Sequence, residues 1–176
     1  MVPTLLMTLL PVVFMLHDFE ELILFRPWLA KHRAEIRERF PAVDRLLART
    51  HDGLSQSALT VAVLHEFTLI AAVTYLALAL DVPGLWFGAC FAFSAHLLVH
   101  IGQWLIFGRY VPVIVTAWLA LPYCAAALSA FLSTTTLAPG QLALWALLGL
   151  ALTALSLPSA FALAARFERW LIERYP

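Results

Sequence analysis

The chain alternates between long apolar runs and short segments in which most of the charged residues are collected. The runs reach the roughly 20 residues that a helix needs to cross the hydrocarbon core of a membrane. Turns containing proline or glycine separate the later runs, at residues 81–84 and 133–141. This pattern predicts five membrane spans, at residues 3–25, 54–80, 84–107, 111–132 and 142–165.

The composition supports lipid rather than water as the solvent for most of the chain. Of the 176 residues, 62% are hydrophobic and 12% are charged, whereas soluble domains carry about 25% charged residues. We therefore predict an all-α integral membrane bundle of five transmembrane helices that forms a single domain over residues 1–176. The formal net charge is zero, so a nucleic-acid partner that requires a basic surface is excluded. Cys90 and Cys124 lie within apolar runs and are predicted to be small core residues.

The basic residues predict an orientation in the membrane. All eleven lie on one predicted side: seven in the loop 26–53, then Arg109, then three after residue 165. Because Lys and Arg in short loops mark the cytoplasmic side, we expect a multi-pass protein of the cell membrane with its N-terminus outside and its C-terminus in the cytoplasm. The loop 26–53 is then cytoplasmic, either on the membrane surface or solvated. Trp86 is expected at the outer interface.

Seven ionisable side chains fall inside the first three spans, where each is costly and therefore a candidate for function. Their depths follow from the helical rise and span a slab of about 9 Å in the cytoplasmic half of the membrane. Within each of the first and third spans, the spacing of three or four residues places the side chains on one helix face. The seven are His17, Glu20, Glu21, His65, Glu66, His96 and His100. Asp18 is expected to point away from His17 and Glu21.

Imidazoles and carboxylates facing one another in a helical bundle suit a divalent metal such as zinc or iron. We predict metal binding by His17, Glu21, His65, Glu66, His96 and His100, with room for one ion or two. Glu20 is predicted to act as a general acid or base in catalysis. A proton relay and a purely structural hydrogen-bonded cluster are the alternatives that the same residues allow.

The motif His17-Asp18-Phe19-Glu20-Glu21 has the form HXXEE near the end of the first span. With His65, the segment FSAHLLVHIGQW and the segment RYVP that begins at Arg109, it resembles the HXXEE-domain family of small bacterial integral membrane proteins over most of the chain. The resemblance implies the membrane location and the site, and no particular reaction. Members of that family commonly carry Asn where this chain has His96, so His96 departs from the family pattern.

The paired glutamates followed by Arg26, with a later histidine helix, look loosely like the CAAX-prenyl intramembrane protease family, although the spacing of the arginine differs. The function we expect is a metal-dependent membrane enzyme, a hydrolase with zinc or an oxidase or desaturase with iron, acting on a lipid-like or apolar substrate. The alternatives are a metal- or proton-coupled transporter, a metal-free glutamic intramembrane protease, and a structural membrane protein. Membrane lipid is the expected partner.

Overall fold

The computed structural model describes residues 2–175, which form seven α-helices and no strand. The all-α prediction is therefore confirmed over these residues. The helices are α1 (Val2–Thr8), α2 (Leu10–Arg39), α3 (Pro41–Thr50), α4 (Gln56–Ala79), α5 (Pro83–Phe107), α6 (Ile114–Leu132) and α7 (Pro139–Arg174).

Four helices among the described residues, not five, are long and apolar enough to cross a membrane: α4, α5, α6 and α7. They begin and end close to the predicted limits, except that α7 continues beyond residue 165. The first predicted span does not qualify, for two reasons. It is divided between α1 and α2, and the part in α2 contains four charged residues within a short stretch: Asp18, Glu20, Glu21 and Arg26. The prediction of five spans is thus confirmed for four, and these four indicate a multi-pass membrane protein.

The interruption between α1 and α2 has its cause in Pro11, the second residue of α2. Proline has no amide hydrogen and its ring clashes with the carbonyl four residues earlier, which here belongs to Met7. The Trp86 indole donates to the Met7 carbonyl at 3.1 Å, and the Tyr123 hydroxyl donates to the neighbouring Leu6 carbonyl at 2.7 Å. The bundle therefore supplies side-chain donors where the helix lacks its own.

Trp86 is fully buried in the core, so its indole contacts other helices, and its expected depth at the outer interface stays a prediction. Its indole packs against Phe131 with the ring centroids 5.5 Å apart. Cys90 and Cys124 are also buried and unbonded, as predicted for small core residues. This core joins α5 to α6 and to the start of α2, and it fixes the helices that carry the polar side chains.

The first half of α2 has two contrasting faces. Apolar side chains point outward at alternating spacings of three and four residues: Val12, Leu16, Phe19 and Ile23 are all exposed. His17 and Asp18 point inward and are buried. The outer face of this segment is thus as apolar as those of the four membrane helices.

The predicted loop 26–53 is largely helical, since α2 continues to Arg39 and α3 follows. No residue of α3 is buried, and Val43 and Leu46 expose their side chains. Arg33 holds this region together by donating to Asp44 at 2.6 Å and to Asp52 at 2.7 Å.

Helices α5 and α7 meet at glycine. A Cβ at Gly149 would overlap the carbonyl of Gly88, and a Cβ at Gly84 would overlap the Trp145 ring. Glycine at these positions lets the two backbones approach as closely as small residues allow in membrane bundles.

Candidate metal centre and adjoining cavity

Three histidines from two helices converge inside the bundle. One ring nitrogen each from His17, His96 and His100 lies within 4.8 Å of the other two, and no other such group of three metal-binding side chains occurs among the described residues. The His17 ring centroid is 5.4 Å from that of His96 and 5.3 Å from that of His100. His17 lies on α2, and the other two lie one turn apart on α5.

The hydrogen bonds of His17 determine which of its nitrogens is free. Thr116 Oγ1 donates to Glu20 Oε2 at 2.6 Å, so its lone pairs are left to accept from His17 Nδ1 at 3.1 Å. With the proton on Nδ1, Nε2 presents a lone pair. His17 Nε2 is buried and has no hydrogen-bond partner in the described part of the chain. A buried acceptor without a partner is costly unless a ligand completes it.

His100 is oriented in the same way by a neighbour on its own helix. Its Nδ1 lies 2.8 Å from Gln103 Oε1, which can only accept, so Nδ1 carries the proton. His100 Nε2 then directs its lone pair at His96 Nε2, 2.9 Å away. A proton on His96 Nε2 satisfies this contact, and a metal ion satisfies it equally well. The centre therefore has two prepared lone pairs and a third imidazole beside them.

Glu20 faces the start of α6 rather than the three histidines. Its carboxylate accepts from the Thr116 amide at 2.7 Å, the Thr116 hydroxyl and the Tyr110 hydroxyl at 2.7 Å, with the Val115 amide at 3.4 Å. Free amides at the N-terminus of a helix favour a negative charge. Val113, which precedes α6, has a left-handed backbone with φ of 74°, so Glu20 holds a turn that a β-branched residue adopts unwillingly.

A cavity of about 570 Å³ adjoins the histidines and lies between α2, α4, α5 and α7. One end of the cavity is apolar, with Leu69, Val73, Leu85 and Trp145 in the wall. His96 lines the cavity and also belongs to the histidine cluster, so the two features share a side chain. The residues at the opposite end of the cavity are Phe25, Arg26, His51, Gln56 and Phe161.

The polar part of the cavity wall includes both members of the predicted pair on α4. His65 Nδ1 lies 3.2 Å from Glu66 Oε1, and His65 Nε2 lies 3.2 Å from the Ser159 hydroxyl. Ser156 donates to Glu66 Oε2 at 2.8 Å. These two serines of α7 therefore connect α4 to the last membrane helix.

Asp18 and Glu21 line the same cavity from α2. Asp18 is only 7% exposed, so its expected direction away from the site was wrong. At the cavity's end, His51 packs between Phe25 and Phe161 at ring separations of 4.7 and 5.1 Å. Burial lowers the pKa of His51 to about 4, and the nearby positive charges of Arg26 and Arg33 act in the same direction against the opposing effect of Asp52. His51 is therefore neutral at pH 7.

The structure brings only three of the six predicted metal ligands together. His17, His96 and His100 converge, whereas Glu21, His65 and Glu66 lie along the cavity and outside that cluster. Sequence reasoning did not identify Thr116, Ser156 or Ser159, and it noted Tyr110 only as part of the RYVP segment and not as a partner of Glu20. Ser156 and Ser159 are three residues apart in an uncharged run, and this spacing could have indicated a polar helix face. No sequence pattern singles out Thr116.

The four long apolar helices indicate a helical multi-pass membrane protein, and the three buried histidines form a candidate metal centre inside its bundle. The family model described as a protein of unknown function with HXXEE motif matches residues 8–127, and the chain belongs to that family. The match confirms the resemblance seen in the sequence and ends before α7. No curated protein and no solved structure matches the chain.

Proposed function

We propose that the protein is an integral-membrane metalloenzyme that acts on a lipid-like substrate and holds a divalent metal with His17, His96 and His100. The observation that carries the proposal is the buried His17 Nε2, which has no partner in the described residues and lies at the meeting point of three imidazoles. Ligand nitrogens at about 2.0–2.1 Å from one zinc ion are within roughly 4.2 Å of one another. In the structure the three nitrogens lie within 4.8 Å of one another, and His96 Nε2 and His100 Nε2 are 2.9 Å apart, so a bound ion would require only small side-chain adjustments.

A catalytic role is favoured over a structural one by the number of ligands and by the cavity. Structural zinc sites have four protein ligands, whereas catalytic sites keep a position open beside three. His96 places the cluster at the wall of a cavity large enough for a small molecule. A metal bound there would supply a Lewis acid at the cavity wall. Zinc would favour hydrolysis, and iron would favour oxidation or desaturation.

Within this proposal Glu20 positions the site and does not transfer a proton to substrate. Its carboxylate is occupied by α6 and acts on His17 through the Thr116 hydroxyl. A carboxylate that orients a metal-binding imidazole also makes the imidazole a stronger ligand. Proton transfer during the reaction falls to the carboxyl groups that line the cavity, Glu21 and Glu66.

We further propose that α1 and the first half of α2 cross the membrane with the other four helices, which places the N-terminus outside. The exposed apolar face of α2 and its packing into the core with α5 and α6 support this arrangement. It also keeps every Lys and Arg on the cytoplasmic side. Transport is less well supported, because the apolar end of the cavity offers no polar path to the opposite face.

Metal analysis of the protein purified in mild detergent tests the proposed centre. We expect a stoichiometric transition metal in the wild type and its loss in His17→Ala and His100→Ala. His65→Ala is the matched control, because His65 is also an intramembrane histidine but lies outside the cluster. It should keep its metal.

Two results would overturn the proposal. One is a wild-type protein that neither carries a transition metal nor binds added zinc or ferrous ion. The other is equal metal content in the wild type and in both cluster variants, which would place the ion elsewhere.

A further inference from the structure

The cavity wall contains a polar band of carboxyl groups, and not all of them have hydrogen-bond partners within the described residues. Asp18, Glu21 and Glu66 all line it. Glu66 has Ser156 and His65 as partners. Asp18 is 7% exposed, and no hydrogen bond to its carboxyl group occurs among residues 2–175. Its oxygens are not among the fully enclosed atoms that lack a partner, so they are accessible from the cavity and free to accept a hydrogen bond from a ligand.

Carboxyl groups predominate among the ionisable side chains around this band. Arg26 is the one Lys or Arg in the cavity wall, it lies at the end beyond Phe25, and it forms no ion pair with the three carboxyl groups among the described residues. His51 at the same end is neutral. The carboxyl groups therefore outnumber the cations that face them, and the complementary ligand is a cation.

A metal ion does not fit this part of the cavity. The cavity carboxyl groups do not form a group of three that converges within 4.8 Å, as the histidines do. They are distributed along the wall, and the space above them is apolar. This arrangement suits a cationic group attached to a hydrocarbon body.

We propose that the cavity binds an amphiphile with a protonated amine, whose ammonium group lies in the polar band formed by Asp18, Glu21 and Glu66 and whose chain extends toward Trp145. The cavity volume lies within the range that encloses a small organic ligand. The inference rests on the proposed function in one respect, since it takes this cavity to be the substrate site. It identifies the substrate as an amine-bearing lipid-like molecule.

The experiment uses three probes with similar alkyl chains of about a dozen carbons: a primary amine, an alcohol and a carboxylic acid, each brominated at the end of the chain. Bromine quenches tryptophan on contact, and Trp145 lines the apolar part of the cavity. Titration of the full-length protein in non-ionic detergent reports binding, and Trp145→Phe identifies the part of the quenching that belongs to this residue. The alcohol accounts for simple partitioning into the micelle.

We expect the amine to bind about tenfold more tightly than the alcohol, as a charge-assisted hydrogen bond implies, and the acid to bind more weakly. Asp18→Asn and Glu21→Gln should each reduce this preference while leaving alcohol binding unchanged. Asp81→Asn is the matched control, because Asp81 lies in the exposed turn before α5, and it should bind like the wild type.

Equal affinity for amine and alcohol in the wild type would overturn the inference, and so would an unchanged preference in both carboxyl variants. Its outcome is separable from that of the metal centre. His17→Ala should lose metal and keep the amine preference. A wild type with metal but without amine preference would refute only the inference, and one with amine preference but without metal would refute only the metalloenzyme.

Discussion

Thr116 connects two residues of the HXXEE motif, His17 and Glu20, that form no hydrogen bond with each other among the described residues. Its hydroxyl accepts from His17 Nδ1 and donates to Glu20. We predict that Thr116→Val keeps the fold and weakens metal binding by about 10–100-fold, the usual effect of removing a group that orients a metal-binding imidazole. Competition with a chelator of known affinity measures the change.

The conservative variant Thr116→Ser retains the hydroxyl and should bind metal like the wild type. An equal loss in the serine and valine variants would mean that the methyl group, and so packing, is responsible. Unchanged affinity in Thr116→Val would show that the proton on His17 is not held in this way.

At the scale of single residues, the sequence identified the histidines but not their grouping. Helical spacing puts His96 and His100 on one face of α5, and depth puts His17 beside them. Depth cannot say which way a helix is rotated relative to its neighbours, so His65 and Glu66 were included although α4 turns them toward α7. The contacts of Glu20 with the start of α6 could not be predicted for the same reason, because that segment is distant in the sequence, and the catalytic role predicted for Glu20 stays a prediction.

The junction of α1 and α2 depends on a proline and a tryptophan from different helices. Trp86→Phe removes the donor to the Met7 carbonyl and leaves a buried acceptor unpaired. We expect the free energy of unfolding to fall by about 1–3 kcal/mol, measured by titration with a denaturing detergent in mixed micelles. Trp118→Phe is the control, since Trp118 is half exposed, and it should cost less than about 0.5 kcal/mol.

Pro11→Ala tests the cause of this junction. The substituted alanine has an amide N–H that can donate to the Met7 carbonyl, as a helix requires and as Pro11 cannot. This bond would replace the one that Trp86→Phe removes, so the double variant Trp86→Phe, Pro11→Ala should be more stable than the sum of the two single effects predicts. Additive effects would show that the Trp86 indole does not replace the hydrogen bond that Pro11 withholds from the Met7 carbonyl.

Glycine is necessary where α5 and α7 are in contact, at Gly149, and dispensable on α5 away from that contact, at Gly102. In Gly149→Ala the new methyl group would overlap the Gly88 carbonyl, and we expect a loss of stability of about 1–3 kcal/mol from overpacking. Gly102 lies on the other half of α5 with open space beside it, so Gly102→Ala should instead stabilise by about 0.5–1 kcal/mol. Thermal unfolding of both proteins in detergent distinguishes them, and equal effects would contradict a close backbone contact.

For the whole molecule, uncharged length predicted four of the spans because lipid requires a continuous apolar helix. At the N-terminus the same criterion predicted one continuous helix, whereas Pro11 divides the segment into α1 and α2 and four charged residues follow it. The pattern of polar residues also could not decide whether the segment 26–53 lies on the membrane surface or is a solvated loop. There the ion pairs of Arg33 with Asp44 and Asp52 join α3 to α2, and such pairs depend on the folded chain and not on local periodicity.

The orientation of the protein decides from which side of the membrane a ligand could reach the cavity, because the cavity end with Arg26 and His51 faces the cytoplasm only if the basic residues do. Single cysteines at Thr136→Cys, Ala48→Cys and Thr4→Cys, treated with a membrane-impermeant maleimide, test it; the buried Cys90 and Cys124 serve as the unlabelled background. We expect positions 136 and 4 to react in intact cells and position 48 only after permeabilisation. If only position 48 reacted in intact cells, the protein would have the opposite orientation, and the cavity end with Arg26 and His51 would face outward. Protection at position 4 with reaction at 136 would leave α1 and α2 on the cytoplasmic side, and the histidine cluster would then lie at the surface of a four-helix bundle instead of within the membrane.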